Sequence, residues 1–304
     1  MSASLPASIS PSGPGHSGAV LARAPRARLR LRMVALPNRL ATLGAAIVAL
    51  GLVMAILAPV LARYDPYQID VVHRLQGPSA AHWFGTDTLG RDALSRIIFG
   101  ARTTFEVSVG AVILGGAAGI PLGLLSGYFG RLVDATIMRL MDAIMAFPGL
   151  LLAIALAASL GGGLVSIYVA IAVSTIPHYA RLARSVTLTQ KARDYVSAAQ
   201  VVGESNFSIL FREIVPNCLG PLLVALTLDF AHAILIESSL SFLGLGFSPP
   251  TASWGLMLRE VSPFLELQPW EAIFPGLAIF LTIFGFNLLG DGLRDVFDPR
   301  HYEL

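Results

Sequence analysis

Three ionisable side chains interrupt an otherwise apolar segment in the second half of the chain. Asp229 and His232 lie three residues apart, and Glu237 follows a little further on. Ionisable groups are costly inside a membrane, and they commonly line a polar path or pair with another helix. We therefore interpret Asp229, His232 and Glu237 as candidate path-lining residues. A coupling-ion relay stays open as an alternative, whereas two neighbouring ligands are too few for a metal site.

The sequence lacks the motifs of nucleotide hydrolysis and of the common hydrolases. It contains no G-x-x-x-x-G-K-[ST] phosphate loop and no Ser/His/Asp or paired-carboxylate constellation in a plausible soluble pocket. The single cysteine, Cys218, excludes an intramolecular disulfide. A net charge of +2 does not indicate a nucleic-acid surface. We expect a non-catalytic protein that binds no metal or cofactor of its own.

The polar segment 194–217 has the pattern of two short helices joined at a glycine. Gly203 can take the positive φ that ends a helix tightly. Ser205 or Asn206 can cap the second helix, and Pro216 stops or kinks it before the next apolar segment. Such a knob fits a groove in a partner, and a lipid-facing amphipathic hairpin is the alternative. The candidate docking residues are Tyr195, Ala198, Ala199, Gly203 and Ser205, flanked by Arg212, Glu213 and Pro216.

The elements around these residues have the composition of a membrane protein. Only 13% of the residues are charged, against roughly 25% in soluble domains, and the mean hydropathy is +0.70. A helix needs about 20 apolar residues to cross the hydrocarbon layer. We predict an all-α membrane protein with six transmembrane helices, at about 41–62, 107–128, 133–160, 164–180, 218–243 and 272–290.

The first 38 residues differ from the rest of the chain. They are rich in Ser, Pro, Gly and Ala and then in Arg, which predicts a disordered basic tail ahead of a transmembrane domain at 39–304. A signal peptide is the alternative. The apolar run 41–62 has 22 uncharged residues, against about 7–15 for a signal sequence, so we predict an uncleaved spanning helix.

The distribution of Lys and Arg predicts the orientation. With both termini inside, the inner segments hold 15 of the 21 basic residues. This arrangement gives an outer segment at 63–106 and a cytoplasmic loop at 181–217. Apolar residues at helical spacing predict an interfacial helix at 92–102. In the same segment we expect five residues to fix the turns or to contact a partner, namely Gly85, Asp87, Gly90, Arg91 and Asp92.

The second predicted span carries a glycine at every fourth position. On a helix, four such glycines form one smooth ridge that lets another backbone approach closely. Internal helix packing is one interpretation, and a subunit contact or a sliding surface is the other. The ridge consists of Gly115, Gly119, Gly123 and Gly127.

The hairpin also resembles a known element. Ala198 and Ala199, then Gly203, then Ile214-Val215-Pro216, resemble the Glu-Ala-Ala loop of ABC transporter permeases. Four further segments, 82–102, 138–148, 237–258 and 287–300, are similar to the second, C-type permease subunit of dipeptide, oligopeptide and nickel importers. The resemblance covers roughly residues 40–304.

The resemblance implies a fold, a set of partners and a location. The fold is that of type I ABC importer permeases, and the hairpin is the coupling helix that docks on the ATPase. The implied partners are a second homologous permease subunit, one or two ATPase subunits that bind ATP and Mg, and an extracytoplasmic solute-binding protein. The implied location is the bacterial inner membrane, with multiple spans and both termini in the cytoplasm.

Two other classes of function are weighed against the importer subunit. An ion-gradient-driven secondary transporter predicts an inverted repeat and paired broken helices, and we find no such repeat in the sequence. A membrane anchor or sensor needs neither a glycine ridge nor a docking hairpin. Dipeptides, longer peptides, nickel complexes and glutathione all stay open as the solute.

Overall fold

The computed structural model describes residues 39–297, and most of them are helical. The predicted tail 1–38 and residues 298–304 of the predicted membrane domain lie outside this range. A π-helical stretch, Ile209–Ile214, precedes α9, and 3₁₀ turns occur at Val71–His73 and Ser262–Phe264. In chain order the α-helices are α1 (Arg39–Ile56), α2 (Ala58–Leu61), α3 (Ala93–Phe129), α4 (Arg131–Met145), α5 (Gly149–Ser159), α6 (Leu164–Lys191), α7 (Asp194–Val201), α8 (Asn206–Ser208), α9 (Val215–Leu243), α10 (Trp254–Val261) and α11 (Pro269–Phe297).

Several of these helices are long and apolar enough to cross a membrane. Within residues 39–297 there are four by length and composition, namely α1, α3, the continuous run Asn206–Leu243 and α11, and the bent pair α4–α5 makes a fifth if it is one span. The remaining predicted span forms as α6 but does not qualify, because polar residues such as His178 and Arg181 lie in its second half. The protein is therefore an all-α, multi-pass membrane protein, while the count of six spans is not fully reproduced.

The structure differs from the sequence prediction in two segments. The predicted span 133–160 is broken between α4 and α5, which meet at 83°. Pro148 lies at this break, where it lacks an N–H donor and keeps the residue before it out of the helical region. The predicted interfacial helix 92–102 is instead the first part of α3, where Ile97 and Ala101 are buried in the core.

The centre of the bundle is formed by α3, α6 and α9. The pair α1–α11 packs on one side of this centre, and α5 packs against α6 on the other. We use "hairpin side" for the end of the bundle where α6 leads into residues 194–217. The opposite end, where residues 63–92 and α10 lie, is the loop side.

The glycine ridge of α3 lies against the backbone of α6. A Cβ atom added at Gly119 would stand 2.6 Å from the carbonyl oxygen of Ile176, and one at Gly127 would stand 2.8 Å from that of Arg184. At Gly115 and Gly123 it would meet Thr175 and Ala180 even more closely. The ridge is thus internal helix packing, and α6 already occupies the surface that a second subunit would need.

Candidate functional site

The hairpin between α6 and α9 folds as two short helices about a glycine. Helix α7 ends ahead of Gly203, which has a φ of +86°. Ser205 then caps α8, because its hydroxyl oxygen accepts a hydrogen bond from the backbone N–H of Ser208 at 3.3 Å. Both features agree with the sequence prediction. Pro216 does not interrupt the chain here, since the π-helical stretch before α9 widens the turn and the run Asn206–Leu243 is continuous.

Apolar packing fixes the inner face of the hairpin to the bundle. Val196, Ile209, Leu210 and Ile214 are buried in one cluster with residues from the hairpin-side ends of α3 and α6. Each such side chain contributes on the order of 1.5–3 kcal/mol by leaving water. The hairpin is therefore packed onto the helices beneath it and is not a free loop.

Polar contacts add to this attachment. The Tyr128 hydroxyl at the end of α3 donates to Asn206 Oδ1 at 3.0 Å, and Lys191 Nζ donates to the carbonyl oxygen of Tyr128 at 2.5 Å. The Tyr195 hydroxyl donates to Gln190 Oε1 at 2.9 Å, and burial raises the pKa of that hydroxyl. These bonds connect the hairpin to α3 and to the end of α6.

The outer face of the hairpin is an exposed apolar tip. Val201 and Val202 are 89% and 82% exposed, and Phe207 and Phe211 are 72% and 49% exposed. The rings of Phe207 and Phe211 lie with their centroids 4.4 Å apart. We call these four residues the hairpin tip. Exposed clusters of large apolar side chains mark interaction sites.

The structure separates the predicted docking residues into two groups. Ala198, Gly203, Ser205 and Arg212 are exposed near the hairpin tip. Tyr195, Ala199 and Glu213 are partly buried, and the first two pack against the inner cluster. Pro216 is exposed at the start of α9. Val201, Phe207 and Phe211 were not among the docking residues predicted from the sequence, although large apolar residues on both sides of Gly203 carried the signal.

The three candidate path-lining residues occupy different environments. Asp229 is buried, and its Oδ2 lies 3.4 Å from Nδ1 of His178 on α6, a partner that the sequence analysis missed. His232 is exposed. Residues 39–297 contain no group of three His, Cys, Asp or Glu side chains that could hold a metal.

Glu237 does not line a path in this structure. It is fully buried, and its carboxylate accepts hydrogen bonds from three hydroxyl groups. The donors are Ser238 at 3.3 Å, Ser241 at 2.9 Å and Ser253 at 2.8 Å. Because Ser253 directly precedes α10, this carboxylate connects α9 to the loop-side segment.

A buried ionic cluster organises the loop side. Arg91 donates to Asp87 at 2.6 Å and to Glu260 of α10 at 2.9 Å. Arg96 of α3 contacts the same two carboxylates and is wholly buried. Nearby, Ser95 donates to the carboxylate of Asp92 from both its N–H and its hydroxyl. These residues hold the loop-side segment 63–92 against α3 and α10, and their charged groups face the protein interior.

Comparison with known proteins decides the family. Residues 119–301 match the family described as binding-protein-dependent transport system inner membrane component, and residues 36–78 match the N-terminal TM domain of oligopeptide transport permease C. The chain belongs to this family of ABC importer permeases. The permease is a non-catalytic transmembrane subunit, its ATPase is a separate subunit, and its substrate is delivered by a binding protein.

Curated relatives match the permease over most of its length. It is 43% identical over 263 residues to the dipeptide transport system permease protein of Alkalihalophilus pseudofirmus, covering 86% of each chain. It is 45% identical over 256 residues to the probable D,D-dipeptide transport system permease protein of Escherichia coli K12, covering 84% of the permease and 86% of the relative. It is 44% identical over 254 residues to a glutathione transport system permease protein of Pectobacterium atrosepticum, covering 83% and 84%.

Solved structures agree on the fold. A methionine ABC transporter in an inward-facing conformation matches with a TM-score of 0.53 at 15% identity, over 66% of the permease and 97% of that chain. An amino acid ABC transporter with histidines matches with a TM-score of 0.51 at 16% identity, over 65% and 92%. The fold is therefore that of ABC importer permeases, and no comparison favours the ion-driven secondary transporter.

Proposed function

We propose that the permease forms part of the translocation path for small peptides across the bacterial inner membrane. The relatives named above are permeases for dipeptides, D,D-dipeptides and glutathione, and all of these solutes are small peptides. Their names support peptide cargo over the nickel complexes that the sequence left open. The chain itself binds no cofactor in this proposal, and ATP and Mg are bound by the ATPase.

The hairpin is the proposed docking site for the ATPase. The observation that carries this step is the apolar hairpin tip on a rigidly held base. The tip, with Ala198 and Gly203 beside it, enters a groove of the ATPase, while Tyr195, Ala199 and Glu213 hold the shape of the hairpin. Because the hairpin is packed onto α3 and α6, closure of the ATPase pair moves these helices as a unit and exposes the path alternately to each side.

The proposed assembly has further subunits. A second homologous permease completes the path, one or two kinds of ATPase subunit bind on the hairpin side, and an extracytoplasmic binding protein delivers peptide on the loop side. In this arrangement the hairpin and both termini lie in the cytoplasm. The bias of Lys and Arg toward the hairpin-side segments supports this orientation.

A matched pair of substitutions tests the docking site. Val202→Glu places a charge on the hairpin tip, and Val72→Glu places the same charge on a loop-side residue that is equally exposed, at 85% against 82%. We expect Val202→Glu to lower ATPase co-purification at least about tenfold, because it buries an unpaired charge at the contact. Peptide uptake should fall with it. ATPase co-purification should be unchanged in Val72→Glu. Normal co-purification in Val202→Glu would contradict docking through the tip.

A further inference from the structure

A groove of about 480 Å³ opens between α6, α9 and the end of α11 on the hairpin side. Its walls are mainly apolar and include Leu182, Val224 and Leu228. Two polar side chains stand among them, His178 from α6 and Arg294 from α11. Small-molecule sites have this volume and this mixture of apolar walls with a few convergent polar groups.

A buried carboxylate lies next to the groove. Asp229 is 5% exposed, its Oδ2 lies at ion-pair distance, 3.4 Å, from Nδ1 of His178, and the buried hydroxyl of Tyr179 is close to the same carboxylate. The His178 side chain, by contrast, is 57% exposed. A carboxylate removed from water is costly unless charges and hydrogen bonds compensate it. Asp229 lies behind His178 rather than on the groove wall, and its negative charge favours a further positive group at this end of the groove.

The position of the pair connects it to the hairpin. His178 and Asp229 each lie fourteen residues from the loop-side end of their helix, α6 or α9. At about 1.5 Å per residue, this places both residues roughly 21 Å from the loop-side end, near the middle of each helix. Helix α6 runs into the hairpin and α9 runs out of it. A movement of the hairpin therefore acts on the two helices that hold this pair.

We propose that this groove is a binding site for zwitterionic peptide on the transport path, an inference that rests on the proposed function. Arg294 and His178 receive the carboxylate of the peptide, since a guanidinium group can bind a carboxylate through two parallel hydrogen bonds. Asp229 attracts the ammonium group of the peptide. The apolar walls accept varied side chains without selecting among them. Cardiolipin, an anionic lipid, offers phosphate but no ammonium group, so it does not complement the charge of Asp229.

A labelling experiment tests occupancy in the complete importer. Leu182→Cys is introduced with Cys218→Ser, and the importer is assembled with its ATPase and binding protein in phosphatidylcholine vesicles. We expect dialanine and ATP together to slow modification of the new cysteine by a small maleimide about threefold, as partial occupancy requires. Protection should be lost when Asp229→Asn or Arg294→Gln is added. A labelling rate that dialanine does not change overturns the proposal, as does a rate that is slowed only by added cardiolipin.

Transport gives a second readout. We expect Asp229→Asn and Arg294→Gln to lower dialanine uptake at least about tenfold, the loss expected from one or two hydrogen bonds to charged groups. The rate of ATP hydrolysis stimulated by peptide-loaded binding protein should stay within about twofold of the unmodified importer, because neither substitution lies in the hairpin. Arg294→Lys should retain much of the uptake, and the exposed carboxylate variant Asp291→Asn all of it. Wild-type uptake in both groove variants overturns the proposal.

The two levels of proposal fail differently. If the unmodified importer shows no ATP-driven peptide uptake, the proposed function is wrong. If uptake is normal and peptide never protects Leu182→Cys from the maleimide, only the proposed binding site in the groove is wrong.

Discussion

At the scale of single residues, glycines on one face of α3 allow the backbones of α3 and α6 to come into close contact. The four ridge glycines face carbonyl oxygens and small side chains of α6, so the two backbones approach within the reach of one methyl group. Lipid tails are as apolar as the helix surface and supply little drive for helix association. Close van der Waals packing between backbones takes its place.

Gly123 allows a direct test of this contact. A Cβ added there would collide with the carbonyl oxygen of Ala180, a backbone atom, whereas one at Gly116 would meet only flexible side-chain ends, Leu226 at 3.1 Å and Ile120 at 3.6 Å. We expect Gly123→Ala to destabilise the purified permease by about 1–3 kcal/mol, the usual cost of overpacking. Gly116→Ala should have a much smaller effect. Thermal unfolding in detergent measures both, and equal stability of the two variants would contradict the packing.

At the scale of elements, the hairpin combines a fixed inner face with an exposed tip. The inner face is predictable from the alternation of apolar and polar residues, and the turn is predictable from Gly203 and Ser205. The continuous passage from the hairpin into α9 is not, because Pro216 indicates a helix start as readily as a kink. A π-helical turn depends on packing over several helices, so no local pattern announces it.

The turn at Gly203 carries the next prediction. Its φ of +86° is unfavourable for residues with a side chain and inaccessible to proline. We expect Gly203→Pro to leave membrane insertion intact and to reduce ATPase co-purification at least about tenfold, because the tip is displaced. Gly203→Asn should retain most of the co-purification, since asparagine tolerates the left-handed region best among the other residues. Normal ATPase co-purification in Gly203→Pro would show that binding of the ATPase does not depend on this turn.

At the scale of the whole molecule, most of the spans and the family were predictable from the sequence, while the arrangement of charges was not. Apolar length indicates a membrane helix wherever it occurs, so α1, α3, α9 and α11 were found. The pairing of His178 with Asp229 joins residues far apart in the chain, and periodicity carries no information about it. For Glu237 the expectation from the sequence does not match the fold. A charge in an apolar segment indicated a polar path, but the Glu237 carboxylate is buried and accepts hydrogen bonds from three serines.

In the proposed assembly, the orientation of the molecule assigns its hairpin side to the ATPase and its loop side to the binding protein. In a Cys218→Ser background, Val202→Cys places a thiol on the hairpin tip and Val72→Cys places one on the loop side, both at strongly exposed positions. We expect a membrane-impermeant maleimide to label Val72→Cys in intact cells and Val202→Cys only after the inner membrane is opened. The bias of positive charge toward the hairpin-side segments requires this outcome, since such segments are retained in the cytoplasm. Because both sites are solvent-exposed valines, a difference in labelling reports the side of the membrane rather than burial. Labelling of Val202→Cys from outside intact cells would show that the hairpin lies outside the cytoplasm, where a cytoplasmic ATPase could not bind it.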